Sequence, residues 1–550
     1  MKFNRVKIKR GGFFLVLVLI VIVIATMAVQ SFTGLMVAFD KSAYLSGDLV
    51  QARVAAESGS EVARLILSNT PEMRFDAGGI YNNGNLFQAI PVSMGIDGNT
   101  PCNFSVVAPS LNEYGQLAGL RFGLQNESAR LNINTLPIIE ANTEALTAIL
   151  SLTSEASADP SAEPVASDNL AFSMLMSLPG MTEDTAAAIL DWLDEDEEPR
   201  EPNGCEADYY AGLTTRYAPT NGPLLSVEEL LLVRGVTPSL LFGADSNRNG
   251  ILDPDEQQRF SVTVDTPGAL GWAQYLTIHG GEASKTFAGA LRVNVNKDDL
   301  ESLYEELATA LGDETMASYI VAFRIAGQST VDPTAAANNN NTQSGGDWSA
   351  DLLDQLDLSG GGGTKLNQIL DLIGSTVTVG QGDQARSYNS PFADNPIAMA
   401  LYLPIIMDAL TTQEGFFMPG RLNINECPAE LLYGLSLLTE EQVQAIIESR
   451  EIDAEDPNRR HETWLMTEGI VTLQEMRTLV PLLTCGGDVY RAQIVGYFEK
   501  GGASHRSEYI IDATTVNPKV VFWRDLTHLG RGFDLSVLGL RSAVDAASAQ

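Results

Sequence analysis

The chain has 550 residues, so two to four domains are expected rather than one core. It carries 34 Lys+Arg against 70 Asp+Glu, a net charge of −36, and that surplus of acid argues against a protein built to neutralise nucleic-acid phosphates. A hydrophobic fraction of 45% excludes wholesale disorder, and the four cysteines (Cys102, Cys205, Cys427, Cys485) lack the CxxC spacing of a zinc or thioredoxin-like motif.

The charge is unevenly placed. Lys2, Arg5, Lys7, Lys9 and Arg10 fall in the first ten residues with no acid among them; taking these five from the total leaves −41 on the remaining 540. After Arg10 no charged residue occurs until Asp40, and the densest apolar run is residues 13–29. At about 1.5 Å per residue, roughly 20 apolar residues cross a bilayer, and the basic flank predicts a cytoplasmic N-terminus with the bulk translocated. An ordinary signal anchor is the plainest reading. A cleaved secretory peptide fits poorly, because the run is long and no small-x-small site ends it. Beyond Asp40, Leu45, Leu49, Ala52, Ala56, Gly59, Val62 and Ile66 recur at helical steps until Pro71, which predicts one helix of about 55 residues.

Strands are expected at 86–92, 104–108 and 117–124, and again at 489–498, 507–513 and 519–524, separated by Gly, Asn and Pro turns. Between them lies a mainly helical middle of some 350 residues, so a small helix-plus-sheet domain built from both chain ends should carry a large insertion. Within it, residues 130–134, 292–296 and 421–425 are near copies of RLNIN. Each leads to an amphipathic helix and then to a second helix headed by Thr182, Asp313 or Thr439, residues that cap free N–H groups. Ser154–Asp168 reads as an exposed linker, and Asn338–Asn341 and Gly360–Gly363 bracket a second region of slack.

Two acidic segments carry chemistry. Residues 245–256 meet the twelve-residue calcium-loop template: Asp245, Asn247, Asn249 and Asp253 offer alternating side-chain oxygens, Ile251 its carbonyl and Glu256 a bidentate carboxylate, while Gly250 permits the turn. A polar turn is the simpler alternative. A second tract, with Asp191, Asp194 and Asp196 followed by Glu206 and Asp208, packs enough carboxylate into one bend to call for a cation or water. A solvated acidic loop is its alternative. The four histidines (His279, His461, His505, His528) are scattered, and no GxSxG, HExxH, Walker A or strand-borne GxGxxG motif occurs, so no catalytic residue is nominated and the chain is not expected to be an enzyme.

Taken together, these motifs resemble the type II secretion protein K family (general secretion pathway protein K, the large minor pseudopilin). The resemblance rests on the basic-Gly-apolar N-terminus, the AESGSE stretch at 56–61, RLNIN at 130–134, Leu178-Pro-Gly-Met181, the 191–196 tract, residues 204–210, and residues 217–224 with 230–235. It covers about residues 1–240, and the strands from 489 onward fit the family's closing sheet. It implies an α+β type IV pilin-like fold with a large, mainly α-helical inserted domain of RLNIN/helical-hairpin repeats. It also implies prepilin peptidase cleavage between Gly12 and Phe13, although cleavage after Gly11 is not distinguished by sequence. The subunit would sit in the bacterial inner membrane as a single-pass chain and, once assembled, at the tip of a periplasmic pseudopilus with other minor pseudopilins. Secreted cargo and the outer-membrane channel are further partners of such a tip; no nucleic acid is expected. Family members bind calcium in the inserted domain, which places candidate ligands at Asp194, Asp196, Glu206 and Asp208. Two departures stand out. Leu17 occupies the fifth mature position, where most pilins have Glu, and Cys205 replaces the usual Ala, with a disulfide to an unspecified partner as one expectation.

The expected division is a leader (1–12), the long helix (13–71), the first part of the sheet (72–130), a helical insertion with the acidic tract and calcium loop (131–257), a second repeat with the Asn/Gly-rich segment (258–420), a third repeat (421–485) and the closing strands (486–550). Helix-hairpin-helix DNA binding, in a related type IV pilus or DNA-uptake machine, is the rival reading. Its weakness is that the hairpin turns carry Glu and Asp rather than basic residues.

Overall fold

The computed structural model describes residues 12–93, 101–141, 170–200, 202–328, 343–380, 385–415 and 417–539. The basic leader before Gly12, the 154–168 linker and the 338–341 run lie outside the described residues.

Helix α1 runs Gly12–Leu67, 56 residues without a break, and its N-terminal part is long and apolar enough to cross a membrane. Side chains from Phe14 to Val50 that are apolar stand exposed along it. The second half buries Ala52, Ala55, Ala56, Ser60, Ala63 and Leu67 against a sheet. This explains the small residues of the AESGSE stretch. At Gly59 a Cβ would come within 2.8 Å of Ile494 and Phe104, so helix and sheet approach as closely as the backbone allows.

The sheet draws on both ends of the chain. Its strands are β1 (Ile90–Ser93), β2 (Cys102–Leu111), β3 (Leu117–Phe122), β4 (Val489–Phe498), β5 (Ser504–Asp512) and β6 (Lys519–Asp525). Their order is β1-β2-β4-β5-β6, all antiparallel, with β3 also paired to β2 and the short strand Gln125–Asn126 paired to β4. The insertion thus leaves and re-enters the sheet between central neighbours. One strand expectation is corrected. Residues 86–92 do not form a single strand, because Asn83 caps a helical turn at Gly84–Phe87 by accepting from the Asn85 N–H (3.2 Å), and only Ile90–Ser93 reaches β2.

The insertion consists of three copies of one unit, each closed by a strand pair that the repeat motif opens. Leu131–Asn132 pairs in parallel with Leu276–Thr277, Val293–Asn294 with Leu410–Thr411, and Leu422–Asn423 with Leu483–Thr484. Every closing strand is therefore Leu-Thr, and the first unit runs past residue 257 to Thr277. The hydrogen bonds repeat as well. The first Asn of the motif accepts from the N–H two residues on, in Asn132, Asn294 and Asn423 alike (3.2, 2.8 and 3.0 Å). The closing threonine hydroxyls accept from His279, Gln413 and Gly486 N–H groups. The second Asn clamps a distant backbone: Asn134 donates to Leu224 C=O and accepts from its N–H (3.0 and 2.8 Å), and Asn296 does the same to Leu366 (2.9 Å each). The expected helix starts at Thr182, Asp313 and Thr439 are all N-caps whose side chains accept backbone N–H groups. One contiguous apolar core, from Leu117 on β3 to Leu483, runs through all three units.

Replacing Asn134 or Asn296 by Ala strands a backbone N–H and C=O together, at a cost of about 1–3 kcal/mol each. Asn425 donates only once, to Arg459 C=O at 3.3 Å, so Asn425→Ala should shift a urea midpoint less than either. Equal shifts for all three would contradict the clamp.

Candidate metal centre

The first unit builds its acidic bend around Asp191. This carboxylate, fully buried at the end of helix Glu183–Leu193, accepts the Cys205 N–H (2.6 Å) and the Arg200 N–H (3.3 Å) and faces the Arg200 guanidinium at 3.1 Å. These bonds fold residues 194–200 and 202–206 back on the helix. Gly204 is required there, since a Cβ would collide with Asp191 Oδ2 and Arg200 N. Arg200 also holds Glu140 (2.7 Å) and one oxygen of Asp194 (3.0 Å).

Within this bend Asp194, Asp196 and Glu206 each present an oxygen, and the three lie within 4.8 Å of one another, the one such acidic or metal-ligating group among the described residues. Asp194 Oδ1 and both Glu206 oxygens are buried without a hydrogen-bond partner, although Glu206 is only 6% exposed. Burial, then Asp191, Asp194 and Asp196, push the Glu206 carboxyl up to about 7; burial, then Asp196 and Asp191, lift Asp194 to about 6. Asp208 is not brought into this group: it sits exposed in the first turn of helix Ala207–Ala211. Asn221 was missed by sequence reasoning. Its Oδ1 is buried and unpartnered while its Nδ2 donates to Asp196 C=O at 2.6 Å. The signal was its place in a Thr-Asn-Gly-Pro turn beside the tract. Hard oxygen donors with unmet valence suit a divalent cation of the calcium type.

The 245–256 loop takes the turn its template requires, with Gly250 at φ 79° and Asp245 accepting from Asn249 and Gly250 N–H groups (3.0 and 2.8 Å). Its carboxylates are occupied internally. Asp253 accepts from the Asn247 and Asn249 amides (2.7 and 3.0 Å), and Glu256 accepts from Ser246 and Asn247 N–H and closes a capping box with Asp253 on helix Pro254–Phe260. Asn249 Oδ1 accepts the Ile251 N–H (2.9 Å), whereas Asn247 Oδ1 is buried without a partner. Burial lifts the Asp245 carboxyl to about 7. The weaker sequence signal therefore converges on a point, and the stronger one is held in a hydrogen-bonded turn.

The expected disulfide is corrected: all four cysteines are free, and Cys205 is buried with its Sγ 3.2 Å from the Tyr210 hydroxyl.

For the metal-free chain a pH dependence follows from these raised carboxyls. The folded form holds their protons more tightly than the unfolded chain, so stability is full below the unfolded value near pH 4 and is lost as pH rises through about 6–7. Saturating calcium competes for the charged forms and should abolish that loss. Melting midpoints at pH 4.5, 6 and 8, with calcium or a chelator, test this; a chelated chain as stable at pH 8 as at 4.5 would contradict it.

A membrane-length helix packed by small residues on an antiparallel sheet, with a second domain inserted into that sheet, defines the chain as pilin-like in fold. Residues 129–242 match the model of the family described as type II secretion system (T2SS), protein K. The match covers the acidic bend but ends before Asp245. Among solved structures the chain is similar to one from "The Crystal Structure of the GspK-GspI-GspJ complex from enterotoxigenic Escherichia coli Type 2 Secretion System", at 10% identity, covering 89% of this chain and 98% of that one with a TM-score of 0.30. At that score the fold rests on this chain's own elements. No curated protein matches.

Proposed function

We propose that the chain is a minor pseudopilin of a type II secretion system, capping the tip of the periplasmic pseudopilus and initiating its assembly for export across the outer membrane. The carrying observation is the protein K segment, set in an insertion that interrupts a sheet packed on a membrane-length helix. In this reading a prepilin peptidase cleaves between Gly12 and Phe13, the basic leader stays cytoplasmic, and the bulk lies in the periplasm. Other minor pseudopilins are the partners, as GspI and GspJ are of GspK in the Escherichia coli complex. Calcium, held by Asp194, Asp196 and Glu206 with Asn221, staples the acidic bend. The 245–256 loop takes a second calcium through Asp245, Asn247, Asn249, Asp253, Glu256 and the Ile251 carbonyl once its internal amide contacts are exchanged for the ion. The role is structural, not catalytic.

Leu17 provides the test. It is exposed on α1, so substitution leaves packing intact. In a pilus, a fifth-position Glu pairs with a neighbour's N-terminal amine, and an unpaired charge in that apolar surrounding is costly. A first-assembled tip subunit needs no such pair. Leu17→Glu should therefore leave the melting midpoint unchanged but move the subunit away from the tip in crosslinking to the other minor pseudopilins. Unchanged tip incorporation would count against the proposal. Salt-sensitive DNA binding by the purified chain would favour the rival DNA-uptake reading instead.

A further inference from the structure

The three repeat units carry an internal comparison at their first residue, an arginine in each. In the third unit Arg421 is clamped by two carboxylates: its Nε and Nη2 donate to Glu282 (2.9 and 2.8 Å), and its Nη1 donates to Glu462 (2.9 Å) and to Val480 C=O (2.8 Å). In the second unit Arg292 is only half-buried, and its Nε donates to Asp408 C=O at 3.1 Å. In the first unit Arg130 is 3% exposed, yet among the described residues its guanidinium makes one hydrogen bond, from Nη2 to Gln274 Oε1 at 3.1 Å. Its Nε and Nη1 are buried with no partner. A guanidinium cannot shed its charge at neutral pH, so this is the arrangement that burial penalises most.

Those unpaired donors border a cavity of about 80 Å³ between the sheet and the first unit. Arg248, Arg491 and Arg524 line it too, which makes four arginines against the three carboxylates Glu228, Asp245 and Glu508. Each carboxylate is already engaged. Glu508 meets Arg491 and Arg524 at 3.0 Å, Glu228 pairs with Arg524 and faces Arg248 at 3.6 Å, and Asp245 accepts backbone N–H groups of its own loop. Glu127, behind the wall, is taken by Arg491 at 2.7 Å and by the Thr277 hydroxyl. Among the described residues no carboxylate hydrogen-bonds Arg130, which Glu127 and Glu508 reach only through longer-range attraction, and Arg524 Nε, on the same cavity, is likewise unpartnered.

We infer that this cavity is a binding site for a small oxyanion, a carboxylate or a tetrahedral anion such as sulfate, which supplies to Arg130 the acceptor that Glu282 and Glu462 supply to Arg421. A planar fork of donors matches a carboxylate or two oxygens of a tetrahedral anion in bidentate fashion. Its seat joins the pilin-like sheet, through Arg491 and Arg524, to the first repeat unit, through Arg130. The bound anion therefore stiffens the junction between them. The site stands on geometry alone and does not depend on the secretion reading.

The test uses the full chain in detergent, at fixed pH and ionic strength, with chloride exchanged for acetate or sulfate. A saturable rise in melting midpoint of about 3 °C is expected well above the dissociation constant, together with broadening of the ¹³C-acetate NMR line that sulfate reverses. Arg130→Gln should abolish both effects; Arg130→Lys, which keeps the charge without the fork, should weaken them. If Arg130→Gln does not fold, the acetate–sulfate competition in the unaltered chain and the Arg130→Lys comparison still decide. A response no different from chloride, or one equally strong in Arg130→Gln, overturns the site and leaves the cavity to water.

Discussion

Arg491→Met is expected to destabilise the chain by about 3–5 kcal/mol, the cost of leaving buried charge uncompensated. Arg491 lies on β4 and reaches Glu127 at 2.7 Å and Glu508, on β5, at 3.0 Å. Glu127 is 0% exposed and its carboxyl is held down to about 2: against the cost of burial, Arg491 and then Arg130 favour its charged form. Because the folded value is depressed, the stability it contributes is present above the unfolded value near pH 4.3 and is lost as pH falls toward 2. Denaturant titrations at pH 7 and at pH 3 measure both parts. The unaltered chain should lose stability between them more steeply than Arg491→Met does. In a cycle with Glu127→Gln, the double variant should cost less than the sum of the two singles. Additive losses would show that the pair is not coupled, and the account of this junction would fail. The pair joins the sheet to the turn that opens the first unit, so its loss should also loosen the insertion.

Gly496→Val should cost about 3 kcal/mol or more by overpacking. Gly496 faces α1 from the middle of β4, where a Cβ would collide with the Ala52 carbonyl oxygen and stand 2.9 Å from Ala56 N. Helix backbone cannot yield one atom at a time, so α1 has to move as a body. Gly59→Ala, across the same interface, meets only the side chains of Ile494 and Phe104 and should be milder. The damage should be local to the seam between α1 and the sheet. Limited proteolysis near Arg53 and Arg64 should accelerate, while sites within the repeat units stay protected. Unchanged cleavage in α1 together with a normal melting midpoint would refute the close-packing account.

What was legible in the sequence was what short-range pattern encodes. The unbroken apolar run and the three- and four-residue steps that follow predict α1 to within a few residues of Gly12–Leu67. Alternation located β4 as 489–498 and the centres of β2, β3, β5 and β6. The RLNIN copies and the capping residues Thr182, Asp313 and Thr439 identified a threefold repeat. The Leu-Thr strands that close each unit escaped, because two-residue strands have no periodicity and their partners lie between about 60 and 145 positions away. The dipeptide itself is no signal, since Leu-Thr also occurs at 146, 152, 213, 438 and 526.

The metal candidates divide along the same line. Ligand type and spacing are local properties, so the calcium-loop template at 245–256 and the crowding of carboxylates at 191–208 are readable along the chain. Folding alone brings Asp194, Asp196 and Glu206 together, leaves Asp208 exposed outside that group, and sets Asn221, from another turn, against the Asp196 carbonyl. It also decided that Asp253 and Glu256 are occupied by their own loop. Likewise, three arginines identical in motif position acquire different fates: clamped in Arg421, half-exposed in Arg292, buried with Nε and Nη1 unpartnered in Arg130. The physical reason is the same in each case. Burial and the identity of the neighbouring charge set the energy of an ionisable group, and both depend on which distant segment packs against it.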